Sequence, residues 1–510
     1  MDRVTRHLAA AVAAIAAAAA VVVVAGPAAA AGYDPAGDPN SMLKVTAATG
    51  ATVWWNAGYT GKGVDVAVID TGVAPVAGLD APGKVINGPD LSLESQRPAL
   101  RYLDTNGHGT FMAGLIAGHD GALTAPYASA PASAYRGVAP DARIVSLKVA
   151  TADGGTDVSQ VIAAINWVIQ HKNDNGMNIR VLNLSYGTNS TQSSTIDPLS
   201  YAVEQAWRKG IVVVAAAGNS GFQAEQGLAN PASNRFVIGV GGYDTRGTPS
   251  PTDDDLGAYS AGIAHTGQRG PDFSAVGSHL QGLRVPNSYL DATHPEGVLG
   301  TRYFRGSGTS QAAAITSGAV ALLLQKHPTL TPDGVKRFIT TNTDPATGAD
   351  PDPDYWGAGK ISLARLATRT PAAYTQVFTK ATGTGSLEAA RGTDHLTANG
   401  VVLTGEKDIF GQAFSSTAMA VAEAAGSSWS GGTWNGRNWT GSSWAGSSWA
   451  GSSWAGSSWA GSSWAGSSWS GSSWSGSSWS GSSWAGSSWS GSSWSGSSWS
   501  GSSWATGTWS

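Results

Sequence analysis

Residues 66–72 read Val66-Ala67-Val68-Ile69-Asp70-Thr71-Gly72, an apolar, β-branched run that ends on a carboxylate and breaks at a glycine. Runs of the same kind recur at residues 144–149, 179–184, 211–216 and 236–240, and the first extends back to 64. Between several of them the apolar spacing turns helical. Val158, Val161, Ile162, Ile165 and Val168 share one helix face, and residues 199–209 read similarly. Strands alternating with helices predict an α/β domain with a mostly parallel sheet covered on both faces. Sites in such sheets gather at the carboxyl ends of strands, which is where Asp70 stands.

Two further strings complete the chemistry that Asp70 begins. Asn106-Gly107-His108-Gly109-Thr110 leads into an apolar run, 111–117, that reads as a buried helix starting at the histidine. Gly306-Ser307-Gly308-Thr309-Ser310-Gln311-Ala312 leads into a second helical run ending at Lys326. A serine at a helix N-terminus meets a dipole that favours developing negative charge. Each string alone is an ordinary turn, and a single histidine is usually a surface or core residue. Together they supply a nucleophile (Ser310), a general base (His108) and a carboxylate that orients the imidazole (Asp70).

The order Asp, His, Ser is that of subtilisin among the unrelated folds that carry such a triad. Over residues 41–366 the chain resembles the secreted subtilases. The resemblance implies a subtilisin-like three-layer α/β sandwich and serine endopeptidase activity through an acyl-enzyme, with no cofactor required for the chemistry. It also implies that Asn219, in Ala216-Ala217-Gly218-Asn219, donates its amide to the oxyanion together with Ser310. Ser185, Tyr186 and Gly187 match the segment whose backbone pairs with an extended substrate. Gly137-Val138-Ala139-Pro140 and Asn230-Pro231-Ala232 also look familial. Two rivals share these features: a catalytically silent surface protein on the same fold, and a hydrolase of esters or small amides.

Two departures from the family pattern carry expectations. The serine motif usually continues Ser-Met-Ala with a proline soon after, whereas here it reads Ser310-Gln311-Ala312-Ala313-Ala314-Ile315. With no thioether beside the nucleophile, activity is expected to survive peroxide. Upstream, the stretch between Ala31 and Asp70 is too short for a folded pro-domain as well as the domain's own lead-in, so folding without one, or with help from residues 367–425, is expected.

The ends and the composition set the setting. Residues 1–31 run from Arg3 and Arg6 through an Ala- and Val-rich middle to a small-residue exit, the pattern of a signal peptide cleaved after Ala31. A secreted protein is expected, in the extracellular space or on the cell wall, with no membrane contact after cleavage. There are no cysteines, so export is not used for disulfides. A net charge of −4 with 13% charged residues offers no basic surface for nucleic acid. Protein or peptide substrates are the expected partners. Ser220 beside Asn219 is uncharged, so the default preference at the cut is broad and apolar. The acidic clusters Asp253-Asp254-Asp255 and Asp350, Asp352, Asp354 match no calcium-loop pattern and read as solvated loops, so structural calcium is not located.

Residues 367–425 read either as linker or as a small accessory element, with helical patches at 387–391 and 417–424 and a short strand within 400–405. From Gly426 onward tryptophan returns at every fifth position, from Trp429 to Trp509, mostly as Gly-Ser-Ser-Trp-Ala or Gly-Ser-Ser-Trp-Ser. On a single strand or helix that period puts the indoles on no common face. A flexible tail and a stacked β-helix both fit, and either could hold the enzyme on polysaccharide.

Overall fold

A computed structural model describes residues 32–439, apart from 122, 222–226, 249, 264–267, 349–350, 394, 399–400 and 431. The expected signal peptide and the repeats beyond Trp439 lie outside the described residues.

Five parallel strands form the spine: β1 (Asp65–Asp70), β2 (Val85–Asp90), β3 (Arg143–Lys148), β4 (Ile179–Leu184) and β5 (Val212–Ala216). With β6 (Ile238–Asp244) beside β5 the order across the sheet is β2-β3-β1-β4-β5-β6, and Phe273–Val276 adds in parallel to β6. Asp70 pairs in register with Lys148, so both are delivered to the carboxyl edge together. Strands β1, β3, β4 and β5 are buried along nearly their whole length, which is why they read as runs rich in apolar residues and not as an alternation. Strand β2 escaped the sequence reading because Asn87-Gly88-Pro89 looks like a turn. It is an edge strand, where proline costs no ladder hydrogen bond.

Helices α1 (Met42–Ala48) and α2 (Ala51–Asn56) precede the sheet. Helices α3 (His108–Ala117) and α6 (Thr309–Lys326) pack together on one face, and α4 (Val158–His171) and α5 (Pro198–Arg208) on the other. α3 and α6 are apolar all round because they are sunk between the sheet and each other. A Cβ on Gly318 would stand 2.6 Å from Val138 Cβ and 3.2 Å from the Ile116 carbonyl oxygen, so a glycine there lets α6 seat against Val138 and the end of α3. Ile116 lies eight residues past His108 and Gly318 eight past Ser310, so the two helices carry their functional residues forward side by side.

The segment after 367 drapes over α4 and α5. Arg391, buried, pairs at 2.7 Å with Asp157, the residue whose carboxylate caps α4. Ala381 N–H donates to Glu204 at 2.9 Å, and helix α7 (Ser416–Ala425) sets Glu423 against Asn166. The first repeats fold as well: two-residue strands at Trp429–Ser430, Thr433–Trp434 and Arg437–Asn438 pair antiparallel, with Trp429 opposite Trp434. The chain reverses between successive tryptophans. Each reversal resets the alternation that would separate the indoles on one strand, so Trp429, Trp434 and Trp439 share one buried cluster with Phe410 and Phe414.

Candidate active site

β1 ends on Asp70 and α3 begins on His108, each only 1% exposed. Both carboxylate oxygens lie near His108 Nδ1, at 2.9 and 3.0 Å, and Thr71 N–H donates to Oδ1 at 2.7 Å. Burial pushes the Asp70 carboxyl above its ordinary value, while the imidazole's charge and hydrogen bond pull the other way. The α3 start can approach this closely only without a side chain at position 109. A Cβ on Gly109 would fall 2.1 Å from the Gly72 carbonyl oxygen.

The loop that carries His108 is tied down by a residue that sequence reading missed. Asp104 Oδ1 accepts from Thr71 Oγ1 (2.8 Å), Asn106 N–H (3.1 Å) and Gly107 N–H (2.7 Å). Its Oδ2 accepts from Thr110 N–H (2.8 Å) and Thr110 Oγ1 (2.6 Å). Thr71 Oγ1 in turn accepts from Gly109 N–H at 2.9 Å, so the residues after Asp70 and around His108 form one hydrogen-bonded unit. The available signal was an acid at a turn, two residues before Asn106-Gly107-His108, where a carboxylate can gather loop amides.

Ser310 is the second residue of α6 and is buried. Its Oγ lies 3.5 Å from the Ser185 carbonyl oxygen, and Ser185 Oγ donates back to the Ser310 carbonyl at 3.3 Å. Asn183 braces this pair, donating from Nδ2 to Ser185 Oγ at 3.0 Å and accepting from Ser317 Oγ at 2.9 Å. Residues 185–187 continue β4 beyond the sheet, and Thr188 exchanges backbone hydrogen bonds with Asn230 just after them. The Tyr186 side chain is buried in the core. Gly187 packs so tightly on Ala229 that a Cβ would stand 2.6 Å from that methyl.

Asn219 follows β5 and meets the serine loop. Its Oδ1 accepts from Thr309 N–H at 2.8 Å and Thr309 Oγ1 at 2.9 Å, which fixes the amide plane with Nδ2 on the other prong. Thus the structure brings together Asp70 with His108, Ser310 with Ser185, and Asn219 with the residue before Ser310. Thr71 and Thr309, unremarked in the sequence, hold two of these junctions.

Among the described residues no group of three or more His, Asp or Glu side chains converges as metal ligands would. The acidic cluster at 253–255 is not a solvated loop: Asp254 is buried on Lys360 Nζ at 2.7 Å, and Asp255 pairs with Arg246. Asp352 accepts from Asp354 N–H at 2.9 Å and caps a short helix, while Asp350 lies outside the described residues. No helix among the described residues is long and apolar enough to cross a membrane.

Serine protease AprX of Bacillus subtilis (strain 168) is 38% identical over 307 residues, which are 59% of this chain and 66% of AprX. The chain therefore spans just under two thirds of that relative's length. Subtilisin DY of Bacillus licheniformis is 32% identical over 61% of this chain and 93% of its own. A crystal structure of a cold-adapted subtilisin-like serine proteinase, 27% identical, aligns with 60% of this chain and 88% of its own at a TM-score of 0.43. Residues 61–385 match the model of the subtilase family, and with relatives of this kind on the same residues the chain belongs to that family, the subtilisin-like serine proteases.

Proposed function

We propose that this subtilase is a secreted endopeptidase that cuts peptide bonds through an acyl-enzyme on Ser310. The observation that carries the reading is the Asp70 carboxylate at 2.9 and 3.0 Å from His108 Nδ1. A hydrogen bond there puts the proton on Nδ1 and leaves Nε2 basic. In the first half-reaction His108 Nε2 takes the Ser310 proton as Oγ bonds to the substrate carbonyl carbon. Asn219 Nδ2 and the Ser310 N–H receive the oxygen that becomes negative, in a site with little water to relax around it. His108 then gives the proton to the departing amine. In the second half-reaction it takes a proton from water, whose oxygen attacks the ester, and Ser310 is restored.

Ser185–Gly187 would pair with the acyl half of the substrate as an added strand, which favours unfolded or loop substrates. Export is supported by the charged, apolar and small-residue succession of residues 1–31. The repeats beyond Trp439 would hold the enzyme on cell-wall polysaccharide, since indole rings stack on sugar rings. No cofactor enters this chemistry.

The test is casein hydrolysis by the chain beginning at Gly32, with a serine-directed phosphonate as label and Ser310→Ala as control. Hydrolysis and labelling that disappear together in the variant support the reading. A folded protein that neither cuts nor takes the label overturns it and favours a silent surface protein.

A further inference from the structure

Strand β3 brings to the catalytic edge of the sheet a lysine that the chemistry above does not use. Lys148 stands in register with Asp70, and its side chain is 1% exposed. Its Nζ donates to the Thr71 carbonyl at 2.8 Å, on the residue that follows Asp70. The same ammonium pairs with Glu94 Oε2 at 2.8 Å, and the Glu94 side chain is fully buried. Burial lowers the pKa of the Lys148 ammonium, but Glu94, Asp90 and Asp104 together outweigh it and hold the group above its ordinary value. The lysine is therefore charged at neutral pH.

Glu94 carries the connection to the other half of the couple. Its Oε2 accepts from Thr105 Oγ1 at 2.7 Å, three residues before His108, and its Oε1 accepts from Ala152 N–H at 2.9 Å. The Ala152 carbonyl accepts from Asn106 Nδ2 at 2.7 Å, and Asn106 Oδ1 accepts from His108 N–H at 3.1 Å. One buried ion pair is thus joined to the chain just after Asp70 and to the chain just before His108. Thr71 is gripped from two directions, its carbonyl by Lys148 and its hydroxyl by Asp104.

Stability alone gives no reason for such a pair. Exchanging a buried ion pair for apolar side chains of similar volume is often neutral or stabilising, because desolvation of two charges cancels much of their attraction. Apolar side chains would fill the same space, yet supply neither a donor for the Thr71 carbonyl nor an acceptor for Thr105 and Ala152. We propose that Lys148 and Glu94 are positioning residues for the reaction: the pair sets the Asp70 carboxylate against His108 Nδ1, and so the aim of the imidazole at Ser310. This role rests on the endopeptidase reading above.

The test separates placement from stability, using the full chain and a peptidyl p-nitroanilide. Lys148→Met leaves the Glu94 carboxylate buried without its cation, and the melting temperature is expected to fall by several degrees. Adding Glu94→Gln removes that charge, and the double variant is expected to regain most of the lost stability. Its kcat is nevertheless expected to stay about 10- to 100-fold below wild type with KM little changed, the scale of a catalytic group displaced by about an ångström. Thr105→Val leaves the ion pair whole and cuts its tie to the His108 loop. It is expected to melt within a few degrees of wild type and to lose kcat about tenfold at unchanged KM, while Thr105→Ser, which keeps the hydroxyl, is expected to retain it. A double variant whose kcat recovers in step with its melting temperature, or Thr105→Val with wild-type kcat, overturns the positioning role alone. A wild type that neither cleaves the anilide nor takes the phosphonate label overturns the endopeptidase reading and the positioning role with it.

Discussion

Asp70 turns both of its carboxylate oxygens to a single nitrogen of His108, and the pair is closed off from solvent. An asparagine in place of Asp70 keeps the shape and offers an NH2 or a carbonyl to Nδ1. The imidazole is then free to carry its proton on the other nitrogen, where it cannot act as a base. Asp70→Asn is expected to lower kcat by about 10^4-fold with little change in KM. The check is steady-state kinetics on the p-nitroanilide, with a circular dichroism spectrum matching wild type. A loss smaller than tenfold would remove Asp70 from the role assigned to it.

Asp104 is buried and accepts five hydrogen bonds, four from the residues around His108 and one from Thr71 just after Asp70. Asp104→Asn leaves an NH2 facing donors that need an acceptor. Each lost bond to a charged group is worth about 1.5–3 kcal/mol, so the melting temperature should fall by several degrees. The loop would shift His108 by a fraction of an ångström to an ångström, which is expected to reduce kcat about 10- to 100-fold while KM stays near wild type. Asp104→Glu is not expected to rescue, because the longer arm cannot reach all five donors. A KM effect without a kcat effect would assign Asp104 to substrate binding instead.

Gln311 is fully buried beside the nucleophile, and neither amide atom has a hydrogen-bond partner among the described residues. An unpaired buried amide costs about 1–3 kcal/mol, so Gln311→Leu should raise the urea midpoint. Met42, Met112, Met177 and Met419 are all buried, and none is a sequence neighbour of Ser310. Wild-type activity is therefore expected to persist in peroxide, and Gln311→Met to be inactivated by it. Equal inactivation rates for the two proteins would show that the damage lies elsewhere.

How far the molecule could be read from its sequence depended on the range of the interactions. The buried strands announce themselves because most of their positions are apolar, and Asp70, His108, Ser310 and Asn219 each stand at or just past the end of a strand or at the start of a helix. Strand β2 hid behind Asn87-Gly88-Pro89, whose turn signal holds only away from a sheet edge. Asp104 looked like any loop acid, since its five donors converge only after β1 and α3 come together. The segment after 367 has weak local signals because its partners, Asp157, Asn166 and Glu204, stand some 170 to 260 residues earlier. The tryptophan period misled for a related reason: periodicity arguments assume a continuous element, and the first repeats turn within each unit.

That late segment also carries a test of its own attachment. Glu423, on α7, is buried against α4, where Oε1 accepts from Asn166 Nδ2 at 3.0 Å, and the nearby Tyr201 phenol is neutral over the range concerned. Burial pushes the carboxyl up to about 8, with the Asn166 hydrogen bond opposing. The unfolded chain titrates near 4.3, so between about pH 4.3 and 8 the folded state binds more protons. The contribution of Glu423 to stability is therefore complete below about pH 4.3 and is lost as pH rises through about 8. Glu423→Gln keeps the oxygen that Asn166 contacts and cannot ionise. It should match wild type at pH 4 and exceed it at pH 9, by on the order of a few kcal/mol. Urea melts of both proteins across this range measure the difference directly. A gap that stays constant with pH would mean that Glu423 is already ionised in place, and that α7 docks on a charge instead of a neutral acid.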